Sequence, residues 1–191
     1  FGEQIAPYDC RESFEKFLPC SKEHLLGTNN IGYDIMSQLI VATRSTLIVG
    51  VTSALACIVI GVAIGLLAGN LGGIASEAVN AFINFFLLMP ILPAAIVIAA
   101  YANGGKTSII LTISLLCWCS TARAVRAKTM SVKNSEYIRS LKSLGYSEAR
   151  ILFRHTLPNV MDVAVAHFMP SVASCIMVEA TLSFLGMGRV T

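Results

Sequence analysis

The sequence predicts an all-α membrane protein, a polytopic helical bundle, on three observations. Apolar residues make up 55% of the 191-residue chain, charged residues only 13%, and the mean hydropathy is +0.71. A soluble domain carries about 25% charged residues to cover its surface, so lipid is the expected solvent for much of this exterior. Several stretches with few or no charges approach the roughly 20 residues that a helix needs to cross the hydrocarbon core. Charge is also segregated: residues 1–34 hold six acidic side chains against Arg11, Lys16 and Lys22, a net −3, whereas residues 123–154 hold eight basic ones against Glu136 and Glu148, a net +6.

Residues 1–45 read as a polar external segment leading into the membrane. The chain opens at Phe1 without the basic start and apolar run of a signal peptide, so an earlier helix is expected to precede it. Cys10 and Cys20 flank an acidic loop in this segment, and an oxidising exterior would permit a disulfide between them, two free thiols being the alternative. Residues 46–191 then hold four expected spans, at 46–69, 78–102, 108–122 and 160–187. In the first, Gly61, Gly65 and Gly69 recur every fourth residue, a small-residue stripe suited to close helix packing. In the second, Pro90 and Pro93 must kink the helix or leave carbonyls free, which makes them pore or gate candidates. Cys57, Cys117, Cys119 and Cys175 lie in apolar stretches and read as small core residues. The last span carries Asp162, His167 and Glu179. Glu179, an ionisable group in an apolar helix, is a pore or gate candidate or else a protonated or locally paired structural carboxylate.

The basic loop, residues 125–158, sets the expected orientation, because positive loops stay in the cytoplasm. Arg44 and Lys106 lie on the outer side against that trend. The loop reads as two short helices, 135–144 and 147–156, broken at Gly145, with Ser135 and Ser147 as N-caps and Glu136 and Glu148 in the first turns. Ala149, Leu152, Phe153 and Thr156 fall on one face at helical spacing, Arg150 and Arg154 on the other. Pro158 should end the second helix and Asn159 cap the next. Nucleic acid is not an expected partner, since the aromatic residues among these cations fall on apolar faces. Gly104-Gly105-Lys106-Thr107-Ser108 resembles the end of a phosphate-binding loop, but Ala100 stands where the first glycine is required and no strand precedes it. No catalytic site, metal ligand set or cofactor is expected. Ser/His/Asp, Cys/His and paired-carboxylate arrangements cannot be assembled from these residues.

The run from Glu136-Tyr137-Ile138-Arg139 through Gly145 to Phe153-Arg154-His155-Thr156-Leu157-Pro158-Asn159 resembles the loop of binding-protein-dependent ABC importer permeases that docks into the ATPase. Gly145, Leu157 and Pro158 match that family's spacing, while Arg139-Ser140-Leu141 replaces its Glu-Ala-Ala triplet. Leu26-Gly27-Thr28-Asn29-Asn30-Ile31-Gly32-Tyr33-Asp34 is similar to the external segment of the dipeptide, oligopeptide and nickel permeases, departing from it at Asn29 and Tyr33. Leu182-Ser183-Phe184-Leu185-Gly186-Met187-Gly188, after Glu179, resembles another stretch of that subfamily.

The resemblance implies a non-catalytic, multi-pass subunit of the cell (inner) membrane. It would work with a homologous permease subunit, two ATPase subunits and an external substrate-binding protein. The family's first and last helices are expected to be missing from this chain. Gly145, Ala149, Leu152, Phe153, Arg139, Leu157 and Pro158 would form the ATPase contact. The rival function is a proton-coupled secondary transporter using Glu179 or Asp162 as relay.

Overall fold

The computed structural model describes residues 6–10, 12–102 and 105–186. Arg11, Gly104 of the phosphate-loop resemblance, and Met187 and Gly188 of the last motif lie outside the described residues. The chain divides into two compact units, Phe1–Ile48 and Val49–Thr191.

The first unit is held by side-chain to backbone bonds. Thr28 Oγ1 accepts from the Leu18 N–H at 2.8 Å and donates to the Glu15 carbonyl at 2.6 Å. Asn29 Oδ1 accepts from the N–H groups of Ile31 and Tyr33 at 2.8 and 3.0 Å. Gly27 and Gly32 have φ of +74° and +96°, and a Cβ on either would meet a carbonyl oxygen, of Leu18 or Phe14 respectively, at 2.3 Å. Only glycine fits both conformation and space. Asp34 closes the unit: its carboxylate accepts from the Ser37 N–H at 2.8 Å, capping the following helix, and pairs with His24 Nδ1 at 2.9 Å. The His24 ring is covered by Tyr8 and Phe14. Burial alone would raise the Asp34 carboxyl, but the Ser37 bonds and the His24 ring outweigh it and hold it below the usual carboxylate range.

A depressed folded-state value means that the stabilisation is present above the unfolded carboxylate pKa of about 4 and is lost as pH falls through the folded one. Limited proteolysis of this unit should therefore accelerate as pH drops below about 4. Asp34→Asn should be cut faster at neutral pH and lack that step.

The second unit is all helical among its described residues. Helix α1 (Ile35–Asn70) runs across the unit boundary, and its start corrects the expected span at 46–69. The Asp34 cap sets the start, and one cation, Arg44, does not interrupt a helix whose backbone bonds continue. Helices α2 (Gly73–Leu88) and α3 (Ile91–Tyr101) make up the expected span 78–102, starting earlier at Gly73, and the kink expected of its prolines is an 88° bend at Met89 and Pro90, Pro93 lying inside α3. Pro90 disfavours helical geometry at Met89, which is extended at ψ 129°, and lacks the N–H needed to continue the ladder. Helix α4 (Lys106–Cys117) meets α5 (Cys119–Lys133) at a 40° bend around Trp118, and α5 continues past the expected end at Ala122 into the basic segment. Short helices α6 (Glu136–Ser143) and α7 (Glu148–Ile151) precede α8 (Leu157–Phe184).

By length and composition two helical stretches can cross a membrane, Ile35–Asn70 and Glu148–Phe184, and four spans result if each bent pair counts as one. The protein is thus an all-α membrane protein.

Its core is built on close approach. Helix α5 packs on α2 and α8, and α4 on α3 and α8. Gly61, Gly65 and Gly69 lie against Thr121, Ala122 and Thr129 of α5, where an added Cβ would come within 2.7, 2.5 and 2.5 Å of an atom. The stripe is therefore filled by this chain's own helix. Trp118 is buried at the α4–α5 bend beside Phe82 and Phe86, and its Nε1–H donates to the Leu115 carbonyl at 2.9 Å.

Candidate functional site

The basic segment folds as a braced elbow. Ser135 caps α6 by accepting from the Ile138 N–H at 3.4 Å. After α6, the Gly145 N–H donates to the Lys142 carbonyl at 3.0 Å and the Tyr146 N–H to the Leu141 carbonyl at 3.2 Å. This paired closure is a Schellman ending, and Gly145 occupies its left-handed position with φ +81°. No atom lies within 4 Å of where a Gly145 Cβ would sit, so the requirement for glycine is conformational rather than steric. Ser147 then caps α7 by accepting from the Arg150 N–H at 3.4 Å. Across the turn, Lys142 and Glu148 pair at 2.5 Å, Arg150 lies over the Tyr146 ring, and the Tyr137 hydroxyl meets His155 Nδ1 at 2.7 Å. The Tyr137–His155 contact ties α6 to the segment after α7, and neither periodicity nor spacing signals it.

The second helix does not end at Pro158, as the sequence suggests. A five-residue π-helix, Leu152–Thr156, connects α7 to α8, with the Leu157 N–H reaching the Leu152 carbonyl. Pro158 sits in the first turn of α8, where its missing N–H is tolerated, and the wider π turn relieves the contact its ring would make with the carbonyl four residues earlier. Asn159 does not cap a new helix but donates from Nδ2 to the His155 carbonyl at 2.6 Å.

The extra residue in that turn rotates the expected face apart. Ile151 and Thr156 are buried, Leu152 is half-buried against Leu66, Val125 and Val160, and Leu157 joins the same cluster. Phe153 is 65% exposed, and Ala149, Arg139, Arg150, Arg154 and Pro158 are exposed as well. The four residues expected on one face thus divide into an inward set, Leu152 and Thr156, and an outward set, Ala149 and Phe153. The outward surface joins a large apolar ring to cations on a rigid projection, a shape suited to filling a groove on another protein.

The other singled-out residues lie elsewhere. Glu179 is buried in α8 and accepts from the Ser183 hydroxyl at 2.8 Å. Asp162 pairs with Lys128 of α5 at 3.1 Å, tying α8 to α5. Pro90 and Pro93 line an open apolar groove of about 420 Å³ with Met89, Ala94, Val97 and Ile98. Cys10 and Cys20 are free thiols, so the expected disulfide is not formed in this structure. Among the described residues no three His, Cys, Asp or Glu side chains are grouped to hold a metal ion.

Comparison with known proteins adds to this geometry. The family model described as the binding-protein-dependent transport system inner membrane component matches residues 61–191. The chain is 31% identical over 191 residues to the glutathione transport system permease protein of Pectobacterium atrosepticum, an alignment covering 98% of this chain and 64% of that protein. It is 32% identical over 170 residues to the oligopeptide transport system permease protein of Bacillus subtilis, covering 89% and 56%. To the dipeptide permease protein of the same organism it is 33% identical over 189 residues, covering 98% and 59%. The chain thus spans between 56% and 64% of the length of these relatives.

Proposed function

Because the chain belongs to the binding-protein-dependent transport system inner membrane components, we propose that it is the permease subunit of an ATP-driven importer of peptides, working with a homologous permease, two ATPase subunits and an external substrate-binding protein. The observation that carries the coupling half of this reading is the elbow. Gly145 closes α6, Ser147 opens α7, and Phe153 stands out from the projection with Arg150 and Arg154 nearby in sequence. The elbow is the part that docks into the ATPase, with Phe153 as anchor and Arg139 at its edge, on the cytoplasmic side that its positive charge favours. The subunit itself performs no chemistry. Peptides are favoured over nickel chelates because the three relatives named above are peptide or glutathione permeases by name. The 88° break at Met89 and Pro90 is the candidate moving part of the path.

A proton-relay transporter is less well supported, since Glu179 is held by Ser183 and Asp162 by Lys128. The deciding experiment is purification of the intact subunit from its native membrane, followed by uptake of labelled peptides and of a nickel chelate in proteoliposomes. ATPase chains should co-purify, and peptide uptake should stop without ATP. Uptake driven by a proton gradient with no ATPase present would replace this reading with the relay.

A further inference from the structure

Near the middle of α8 is a groove with four polar side chains in a partly apolar lining, which the coupling role does not use. Its volume is about 270 Å³, and it is lined by Cys117 and Ser120, on either side of the Trp118 bend, and by His167, Pro170, Ser171 and Ser174 of α8. His167, Ser171 and Ser174 recur at four- and three-residue steps, which places them on one face. Ten residues separate His167 from Leu157 and ten separate Ser174 from Phe184, so at 1.5 Å per residue the groove lies about 15 Å from either end of that helix, in the middle of a stretch long and apolar enough to cross a membrane.

The side chains of Ser120 and Ser174 are exposed and those of His167 and Ser171 half-buried, none of the four has a hydrogen-bond partner among the described residues, and no Asp, Glu, Lys or Arg lines the groove. Pro170 adds to the unmet demand, because it has no N–H to offer the Ala166 carbonyl one turn earlier. Each hydroxyl left unpaired in hydrocarbon costs about 1–3 kcal/mol. Several on one face of a membrane-crossing stretch are therefore poorly suited to face lipid. The opposite face of the same helix differs: Val165 and Met169 are 69% and 72% exposed and carry no polar atom.

We propose that this groove is a mid-membrane subsite for the backbone of a peptide in transit, an inference that rests on the peptide-permease reading. Hydroxyls both donate and accept, and the imidazole adds two further ring nitrogens for hydrogen bonding. The set therefore matches the mixed N–H and C=O groups of any peptide without selecting its side chains. With no carboxylate, lysine or arginine in its lining, the groove binds weakly enough to release, as a conduction path requires. At 270 Å³ it is smaller than a typical small-molecule site, so it holds a few backbone units rather than a whole ligand.

The test uses the assembled transporter in proteoliposomes. Ser174→Cys, Ser171→Cys, Val165→Cys and Met169→Cys are treated with a charged, water-soluble thiosulfonate, and modification is read residue by residue by mass spectrometry. A thiol in an apolar setting stays protonated and each unit of upward shift removes about tenfold of the thiolate, so the groove positions should react at least about tenfold faster than the controls. Trialanine at twice its half-saturating concentration should slow them about threefold, the factor set by occupancy.

If Ser174→Cys and Ser171→Cys are both as inert as the controls, the partner permease or lipid covers the groove and the proposal is overturned. Reaction without protection by trialanine overturns it also, leaving a wet surface that does not hold peptide. A parent complex that moves no trialanine removes the premise together with the proposal. Parent uptake beside inert or unprotected groove cysteines overturns the subsite alone.

Discussion

Gly65→Leu is expected to abolish accumulation of the folded subunit, while Gly72→Ala leaves it unchanged. A Cβ at residue 65 would lie 2.5 Å from the Ala122 carbonyl oxygen and 2.9 Å from Val125 Cβ, whereas nothing lies within 4 Å at residue 72. The first obstacle is backbone and cannot rotate away. Relief requires α1 and α5 to separate, and α5 is tied to α8 by the Lys128–Asp162 pair and by packing. Inserting methylenes into a packed core costs about 1–3 kcal/mol, occasionally more. The rigid neighbour places Gly65→Leu at the upper end or beyond. Gly65→Ala should show a smaller loss in the same direction, and Gly69→Ala should follow it, facing Thr129 Cβ at 2.5 Å. Membrane abundance and thermal aggregation in detergent measure the effect. Wild-type values for Gly65→Leu would mean that this helix contact is not formed in the membrane.

Phe153→Ala should have the second large effect, on partner binding rather than on folding. The ring is 65% exposed, so its removal costs the isolated subunit little, while truncating an interface anchor typically costs 2 kcal/mol or more, about thirtyfold in affinity. Leu152→Ala should behave in the opposite way. Its side chain packs against Leu66, Val125 and Val160, so the loss appears in stability. Gly145→Val combines the two: a left-handed conformation costs a side-chain residue about 1–2 kcal/mol, a β-branched one at the upper end, while the added Cβ itself meets nothing within 4 Å. Abundance, ATPase co-purification and uptake, measured on all three variants, separate these outcomes. Phe153→Ala that retains both ATPase and uptake would leave the elbow as a mere connector.

The fold class was legible because hydropathy over about 20 residues is a bulk property that no tertiary detail can reverse. The glycine stripe was legible for a similar reason: period four on a helix leaves one face without side chains whatever packs there. The left-handed glycine at 145 and the serine caps at 135 and 147 are also local, set by each residue's own backbone and hydrogen-bonding chemistry. The motif from Leu26 to Asp34 was visible as a pattern, and its reason came only with contacts to Leu18, Phe14 and Glu15, residues distant in the sequence.

Tertiary structure alone decided how the elbow presents itself. The sequence puts Ala149, Leu152, Phe153 and Thr156 on one face at 3.6 residues per turn, but a single π turn at Leu152–Thr156 breaks that period and sends Leu152 inward and Phe153 outward. The direction of each bend was likewise not written locally. Pro90 announces a break, but its 88° angle, and the 40° bend around Trp118, which no proline marks, depend on what the flanking helices pack against. The sequence by itself therefore determined which segments are helical and apolar. Which side chains remain free to meet a partner was decided by packing, because exposure is a property of the whole bundle and not of any residue's period.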